Sequence, residues 1–236
     1  WGIQACLSDH IAVEDCDNYG SRKQHGIYFS TTDFPAVRNC RIHDNPGCGI
    51  HLNGDKSEGG DGLITGAVIE GNRIYRNGAA GGAAINMDGV EKSIVRGNLV
   101  YGNLAGGITC FHQNGLKTGD GNRFERNTVY FGDGEGRFGF QLLGEGRNTV
   151  LIGNILVCGR GTALEMSAPL PAGFRSSGNV LFAFGRKKVV RLGNSRLTLR
   201  EWRGESGQGR GSIAADPEFV APEKGNFSLL RDSPVE

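Results

Sequence analysis

Short stretches in which apolar and other residues alternate recur along the chain, each opening on glycine or alanine. They are GIYF at 26–29, GIHL at 49–52, AINM at 84–87, GITC at 107–110, GFQL at 139–142 and ALEM at 163–166. Successive side chains of a β-strand point to opposite faces, so the second and fourth residues of each stretch are predicted to point into a core. The third residue then points outward. GIQAC at 2–6 matches the same pattern, so we expect the sequence to open in mid-coil and the native protein to begin earlier.

One further position recurs between these strands. Its members are Cys16, Cys40, Asn72, Asn98, Asn127, Asn154 and Asn179, with spacings of 24, 32, 26, 29, 27 and 25 residues. Three residues after each stands a second column: Tyr19, His43, Tyr75, Tyr101, Tyr130, Val157 and Phe182. Such a period is typical of a solenoid, in which like residues of successive coils stack. Asparagine tolerates the left-handed backbone of a sharp corner, and its amide can bond to the same residue one coil away. We therefore predict a buried asparagine ladder at the bend.

The coil pattern resembles that of the right-handed parallel β-helix proteins of the pectate-lyase-like type. The matching stretches are IEGNRIYRN at 69–77, VRGNLVYGN at 95–103 and GCGIHLNGD at 47–55, and the resemblance covers about residues 2–193. It implies an all-β fold, a single-stranded right-handed parallel β-helix of about seven to eight coils in residues 1–193. Residues 194–236 are predicted to cap the same domain, with a short helix begun by the capping box TLRE at 198–201, then a loop and a tail.

The same resemblance bears on function and location. The family includes polysaccharide lyases, glycoside hydrolases, uronan epimerases and phage tailspikes, so the fold alone does not select one activity. Family membership implies export, and a secreted, cell-surface or periplasmic location is therefore expected.

Charge and hydropathy bear on which classes of partner are expected. The net charge is +1, and no apolar run approaches the roughly 18 residues of a membrane span, so neither nucleic acid nor a membrane is expected as a partner. The oligomeric state stays open.

Cys16 and Cys40 stand in adjacent coils, whose spacing of about 4.8 Å permits a disulfide or two free thiols. Cys110 occupies an inward position and is predicted to be a buried free thiol.

Two insertions interrupt the repeat and are predicted to wall a groove. They are NGDKSEGGDG at 53–62 and HQNGLKTGDG at 112–121, and both follow the same strand of their coils. Insertions at corners are the usual place for a site. The floor of the groove is predicted from the two outward columns. The first column is Gln4, Tyr28, His51, Asn86, Thr109, Gln141, Glu165 and Arg191; the second is Cys6, Ser30, Asn53, Asp88, Phe111, Leu143 and Ser167.

The first functional hypothesis is lyase or epimerase chemistry on an acidic, uronate-containing polysaccharide. Removal of the proton beside a carboxylate needs a base, for which His51 or Tyr28 is the candidate, and a cation that neutralises the carboxylate. Lys23 or a bound Ca²⁺ could supply that charge. The predicted substrate-binding residues are His25, Asn53, Asn86, His112, Gln141, Glu165 and Lys23.

Two alternatives stay open. Asp88 and Asp55 of adjacent coils could act as the paired carboxylates of a glycoside hydrolase, although the motifs of the β-helix polygalacturonases do not occur. The chain could also be a carbohydrate-binding or structural solenoid without chemistry, in which His51 is a solvated strand residue and Asp88 a turn residue. Asp55, Glu58 and Asp61 lie among glycines in a loop that could wrap Ca²⁺ with oxygen ligands or remain a solvated loop.

Overall fold

The repeating pattern forms coils that each contribute a strand to three parallel sheets, here named sheets A, B and C, in a computed structural model that describes residues 1–235. Sheet A contains the alternating stretches. Its strands are Ile3–Cys6, Ile27–Ser30, Ile50–Asn53, Ala83–Asp88, Gly106–Phe111, Phe138–Leu142, Thr162–Met166 and Val190–Leu192, followed by the antiparallel Ser195–Leu197.

Sheets B and C have seven strands each, one per coil. Sheet B consists of Ala12–Glu14, Ala36–Arg38, Val68–Glu70, Ile94–Arg96, Arg123–Glu125, Val150–Ile152 and Arg175–Ser177. Sheet C consists of Asp17–Tyr19, Arg41–His43, Arg73–Tyr75, Leu99–Tyr101, Thr128–Tyr130, Ile155–Cys158 and Val180–Ala183. The remaining strands form two pairs, Ile64–Thr65 with Val90–Glu91 and Phe219–Ala221 with Asn226–Leu229. The predicted parallel β-helix of about seven coils is confirmed.

The core lies inside the coils, where the alternation places it. Every second and fourth residue of the six alternating stretches is buried, from Ile27 and Phe29 in one coil to Leu164 and Met166 in another. The register between coils pairs like with like, as in the alignment of Ile50 with Ile85. Cys110 is buried as predicted. All six cysteines are free thiols, so the disulfide considered for Cys16 and Cys40 is not formed within residues 1–235.

The predicted asparagine ladder runs through the corner between sheets B and C. Asn98 Oδ1 accepts hydrogen bonds from the backbone and side-chain amides of Asn72 at 3.0 and 2.9 Å, and its own Nδ2 donates to Asn127 Oδ1 at 2.9 Å. Asn127, Asn154 and Asn179 continue the pattern. The left-handed backbone, however, belongs to the residue before each rung, such as Gly97 (φ 62°). Our expectation for the asparagines themselves was wrong on this point, because their side chains turn inward to reach the next coil.

A second ladder lies five residues further along each coil. Asn77 Oδ1 accepts from the backbone amide of Asn45 at 3.2 Å, and Asn103 Oδ1 accepts from that of Asn77 at 3.0 Å. Between the two ladders, the aromatic column of sheet C stacks as predicted, with ring centroids 4.7 Å apart for His43 and Tyr75. Polar and aromatic files therefore alternate along the outside of the hydrophobic core.

The carboxyl-terminal region closes one end of the stack. Helix Leu199–Ser206 begins at the predicted capping box of Thr198 and Glu201, and Trp202 is fully buried against the core. The backbone of Asn179 donates to Ser212 Oγ at 3.0 Å, so residue 212 continues the first ladder. The tail does not cover the end: its hairpin lies on the flank, where Phe227 contacts Tyr101 with ring centroids 5.1 Å apart. Within residues 1–235 no helix is long and apolar enough to span a membrane.

Candidate functional site

The outer face of sheet A brings the predicted floor residues together. His51 lies in register between Tyr28 and Asn86 of the neighbouring coils. Asn53 lies between Ser30 and Asp88 in the same way. Both outward columns therefore have the order predicted from the sequence, and the question becomes which of their side chains are free to act on a ligand.

A histidine cluster occupies the amino-terminal part of this face; it consists of His25, Tyr28, Cys48, His51 and Asn53. The ring of His51 stands edge-on to those of His25 and Tyr28, with centroids 4.6 and 5.4 Å away. Asn53 Nδ2 donates to the Tyr28 hydroxyl at 3.0 Å. Cys48 precedes the strand that carries His51, and the alternation gave no sign that its thiol would lie beside the two imidazoles.

Hydrogen bonds fix the protonation of both imidazoles in the cluster. The backbone N–H of Cys48 donates to His25 Nδ1 at 3.0 Å, so a neutral His25 carries its proton on Nε2. That nitrogen lies 3.0 Å from His51 Nδ1 and therefore donates to it, which places the proton of His51 on Nε2. His51 Nε2 is buried and has no partner within residues 1–235. His51 thus presents a shielded N–H donor, and it offers no lone pair to a substrate proton.

Burial keeps this pair neutral. It lowers the pKa of His25 to about 4. Burial also lowers the pKa of His51 to about 3, and His25 adds to the effect. A proton acceptor at neutral pH needs a free nitrogen lone pair. In this arrangement the one basic lone pair of each neutral ring already accepts a hydrogen bond.

The histidine cluster also contains the one group of three metal-ligand side chains found in the described part of the chain. Ligand atoms of His25, Cys48 and His51 lie within 4.8 Å of one another. A metal on His25 Nε2 would require a proton on Nδ1, where it would face the N–H of Cys48. Burial moreover raises the pKa of Cys48 to about 12, so its thiol is protonated in the metal-free protein and an ion would have to displace that proton. The residues present therefore do not fit a metal ion in this arrangement.

The carboxylate of Asp88 is hydrogen-bonded to backbone N–H groups. It accepts the N–H groups of Gln113, Asn114 and Gly115 at 2.8, 3.0 and 3.1 Å, and the residue is 2% exposed. It therefore ties the insertion 112–121 to the floor. The catalytic role considered for Asp88 stays untested, but backbone N–H groups of the loop already bind both of its oxygens.

The three acidic residues of the first insertion are likewise occupied and are not brought together. Asp55 caps the short 3₁₀ helix Lys56–Glu58 through Ser57, at 2.8 Å. Glu58 accepts from the thiol of Cys6 at 2.7 Å, and Asp61 accepts from the backbone of Leu63 at 2.9 Å. These contacts point in different directions. The Ca²⁺ site predicted for this loop stays a prediction.

A groove lies on the outer face of sheet A towards its carboxyl-terminal end, as a series of adjoining cavities. A cavity of about 200 Å³ is lined by Asn86, Thr109, Arg137 and Gln141, among others. It adjoins one of about 390 Å³ that shares Gln141 and includes Glu165 and Arg191. Two further cavities, of about 540 and 410 Å³, continue past residues 144–147 to the insertion 112–121. These cavities are lined by amide, hydroxyl and charged side chains. The insertion 53–62 lines none of the four, so a groove walled by both insertions stays a prediction.

The floor is ordered by hydrogen bonds between coils. Thr109 Oγ1 donates to Gln141 Oε1 at 3.1 Å, and Gln141 Nε2 donates to Glu165 Oε2 at 3.1 Å. Thr162 donates to the other oxygen of Glu165 at 2.9 Å. Asn86 Oδ1 accepts from the backbone of Ala83 at 3.0 Å, and its Nδ2 has no partner in residues 1–235. Of the predicted binding residues, Asn86, Gln141 and Glu165 thus line the central groove.

Two cations that face this groove make no ion pair within the described residues. Arg137 is exposed and lines the cavity with Asn86 and Gln141. Arg191 lines the next cavity, and its Nε donates to the backbone oxygen of Gly193 at 3.0 Å. Sequence reasoning missed Arg137 because it stands just before a strand, outside the outward columns. Lys23, which had been a candidate, is exposed in the loop before His25 and likewise forms no ion pair there.

His112 lies at the edge of the same groove. It lines the cavity of about 410 Å³ together with Lys117, Thr118, Asp120 and Arg147. Its Nδ1 lies 2.8 Å from Thr118 Oγ1, and the Thr118 hydroxyl lies 2.6 Å from the backbone oxygen of Leu143. Lys117 Nζ contacts Glu91 at 3.1 Å and Asp120 at 3.4 Å. This end of the groove therefore combines an imidazole with two cations, Lys117 and Arg147, and two carboxylates, Asp120 and Glu145.

Comparisons with known proteins bear on the fold. Residues 1–169 match a family model described as a right-handed β-helix region. No curated protein matches the sequence. The chain is similar to the solved A-module of the Azotobacter vinelandii mannuronan C-5 epimerase AlgE6, with 15% identity and a TM-score of 0.64, over 89% of this chain and 55% of that one. It also matches a double mutant of the periplasmic alginate epimerase AlgG, with 16% identity and a TM-score of 0.43, over 78% of this chain and 42% of that one. The chain thus spans about half the length of these structures.

Proposed function

The chain belongs to the right-handed β-helix family, and from this premise and the groove we propose that it acts on an acidic, uronate-containing polysaccharide by lyase or epimerase chemistry. The polymer lies along the outer face of sheet A, parallel to the stacking direction. Because such a polymer is met outside the cytoplasm, the proposal includes a secreted, cell-surface or periplasmic location.

The observation that carries the proposal is that two arginines in the groove form no ion pair within the described residues. Arg137 and Arg191 line adjoining cavities that share Gln141, so both can reach one bound chain. A guanidinium binds a carboxylate through two parallel N–H donors and remains charged at any physiological pH. A polymer with a carboxylate on each sugar can engage both groups at once, whereas a neutral glycan gains little from either.

The proposed chemistry follows from the same cations. Lyases and epimerases of uronates both begin with removal of the proton beside the carboxylate, and the negative charge then develops on that carboxylate. A fixed cation next to the carboxylate stabilises this charge. The similar A-module is named a mannuronan C-5 epimerase, and we infer a substrate of the same chemical class for this chain. Hydrolysis by Asp88 and Asp55 is not supported, since the Asp88 carboxylate already accepts from the backbone of the insertion 112–121 and that of Asp55 from its own loop.

A second candidate function is binding without chemistry. It is favoured by the protonation of the histidine cluster, because the ring nitrogens of His25 and His51 are either bonded or shielded. In this case Arg137, Gln141 and Arg191 would still bind the acidic polymer, and no bond would change.

Incubation of the protein with uronans and with the same polymers after reduction of their carboxyl groups tests the proposal. Ultraviolet absorbance detects the unsaturated ends that a lyase makes, and proton NMR in deuterated water detects epimerisation and deuterium at the carbon beside the carboxylate. Parallel samples with Ca²⁺ and with a chelator test the predicted cation. We expect turnover of the uronan alone. Binding of the uronan without turnover would favour the second candidate, and equal binding of the reduced polymer would refute both.

Substitution of the arginines tests the role of the groove. We expect Arg137→Ala to weaken binding of the uronan about 10- to 100-fold, since a hydrogen bond to a charged group contributes roughly 1.5–3 kcal/mol and 1.4 kcal/mol is a factor of ten. Arg191→Ala should act similarly. Arg73→Ala is the matched control, because Arg73 is exposed on sheet C and forms no ion pair in residues 1–235. An unchanged affinity for both groove variants would exclude this face.

A further inference from the structure

We propose that His112 is the group that accepts the substrate proton, and that Thr118 is a positioning residue which leaves its Nε2 lone pair free. This inference rests on the proposed function and names the base for it.

The hydrogen bonds of Thr118 determine which nitrogen of His112 is protonated. A threonine hydroxyl has a single proton, and the 2.6 Å contact to the backbone oxygen of Leu143 requires Thr118 to donate it there. Its 2.8 Å contact with His112 Nδ1 must then be an N–H donating to the hydroxyl oxygen. A neutral His112 therefore carries its proton on Nδ1 and an unshared lone pair on Nε2. Thr118 is 2% exposed, which holds this arrangement in place.

His51 has the opposite arrangement, with its proton on Nε2. There the chain of donors begins at the backbone N–H of Cys48, passes through His25 and ends with a proton on His51 Nε2. His51 Nε2 is also buried, whereas the His112 side chain is exposed at the groove. Of the three histidines predicted for the site, His25, His51 and His112, only His112 offers an accessible lone pair.

Cations that can hold the substrate carboxylate share the cavity with His112. Lys117 and Arg147 both line it. The hydrogen bond from Lys117 to Glu91 raises the pKa of Lys117, which keeps its ammonium charged. Arg147 pairs at 2.8 Å with Glu145, whose side chain is 76% exposed. A surface pair of this kind is weak, so Arg147 can exchange Glu145 for a substrate carboxylate.

The proposed step balances without an additional reactant. His112 Nε2 accepts the proton from the carbon beside the carboxylate, and the electron pair of that C–H bond is delocalised into the carboxylate, which Arg147 or Lys117 stabilises. In a lyase the pair then forms a carbon–carbon double bond as the glycosidic oxygen leaves; that oxygen takes up a proton from water, and the imidazolium of His112 loses its proton to solvent. In an epimerase water returns a proton to the opposite face of the carbon, and the imidazolium of His112 loses its proton to solvent.

NMR of the imidazole nitrogens tests the structural part of the proposal without any substrate. In uniformly ¹⁵N-labelled protein at neutral pH, two-bond ¹H–¹⁵N correlations distinguish the two neutral forms of each histidine. We expect His112 to carry its proton on Nδ1 and His51 on Nε2. Thr118→Val should shift His112 towards the other form, and Thr118→Ser should restore it. A wild-type His112 protonated on Nε2 would overturn the proposal.

Kinetics test the chemical part. We expect His112→Gln to lower the rate of turnover and of deuterium incorporation by about 10²–10⁴-fold with an intact fold, as is typical of a removed general base. Thr118→Val should lower kcat with little effect on KM, and Thr118→Ser should recover it. His10→Gln is the matched control, because His10 is exposed and stacks on Phe34 outside the groove.

The outcomes separate this inference from the proposed function. Turnover by the wild type that persists in His112→Gln would remove His112 from the reaction and leave the proposed function intact. Absence of turnover by the wild type on every uronan tested would refute the lyase or epimerase function, and the role of His112 with it.

Discussion

Replacement of Asn98 by alanine should destabilise the protein strongly, although the residue is small and far from the groove. Asn98 is 1% exposed, and its side chain takes part in four hydrogen bonds: it accepts two from Asn72, and it donates to the backbone of Ile69 and to Asn127, each at 2.9 to 3.0 Å. At about 0.5–1.5 kcal/mol per bond, the loss amounts to about 2–6 kcal/mol. The variant also leaves the buried backbone N–H of Asn72 without an acceptor.

Urea unfolding followed by circular dichroism and by tryptophan fluorescence measures this loss. Asn114→Ala is the matched control, since Asn114 is exposed in the insertion and its change should stay within about 0.5 kcal/mol. Asn98→Asp separates donor from acceptor roles: it keeps the acceptor but sets a carboxylate against the oxygens of Ile69 and Asn127. Burial raises the pKa of such a carboxyl in the folded state, so this variant should be least stable at neutral pH and recover as the pH falls. Unfolding free energies of Asn98→Ala and Asn114→Ala within 1 kcal/mol of each other would refute the ladder as a source of stability.

Three further predictions follow from the buried groups. Burial places the pKa of His25 at about 4 and of His51 at about 3, below the ordinary 6.5, so the unfolded chain binds protons first as the pH falls. Stability should therefore be complete above pH 6.5 and decrease by several kcal/mol towards pH 4, on the order of 3 kcal/mol for each imidazole. The double variant H25Q/H51Q should flatten this decline in urea titrations, and an equal slope would contradict the assignment. Asp88→Ala should speed hydrogen exchange across residues 112–121, because three backbone N–H groups lose their acceptor, whereas unchanged exchange would show that the insertion holds itself. Trp202→Ala should cost about 3–5 kcal/mol in urea unfolding, and a loss below 1 kcal/mol would show that the helix is not a cap.

Most of the fold could be predicted because residues one repeat apart in the sequence are neighbours in adjacent coils of the stack. The alternation in stretches such as GIHL gave both the core and the outward columns, and the recurrence of Asn72, Asn98 and Asn127 gave the ladder. The second ladder had the same signal, with Asn77 and Asn103 five residues after Asn72 and Asn98. It was missed because it does not continue past Asn103: the equivalent positions of the next two coils are Gly132 and Gly159.

The position of the tail could not be predicted in this way. It depends on aromatic contacts between residues far apart in the chain, such as Phe227 with Tyr101 and Phe219 with Tyr130. No repeat connects these residues, so the sequence indicates a terminal cap without saying which surface each part covers. The capping box of the helix, in contrast, is local, and it was predicted correctly from Thr198 and Glu201.

The protonation of side chains in the candidate site could be predicted less well than the fold. Within the columns an outward polar side chain has neighbours about 4.8 Å above and below, and it can be satisfied by them, as Gln141 is by Thr109 and Glu165. A side chain in an insertion has no such neighbours in register, so its protonation depends on whichever group the loop brings to it. For His112 that group is Thr118, whose own proton is committed to the carbonyl of Leu143, 25 residues later. The reactive lone pair is thus expected where the repeat is interrupted, and the position of its proton follows only from coordinates.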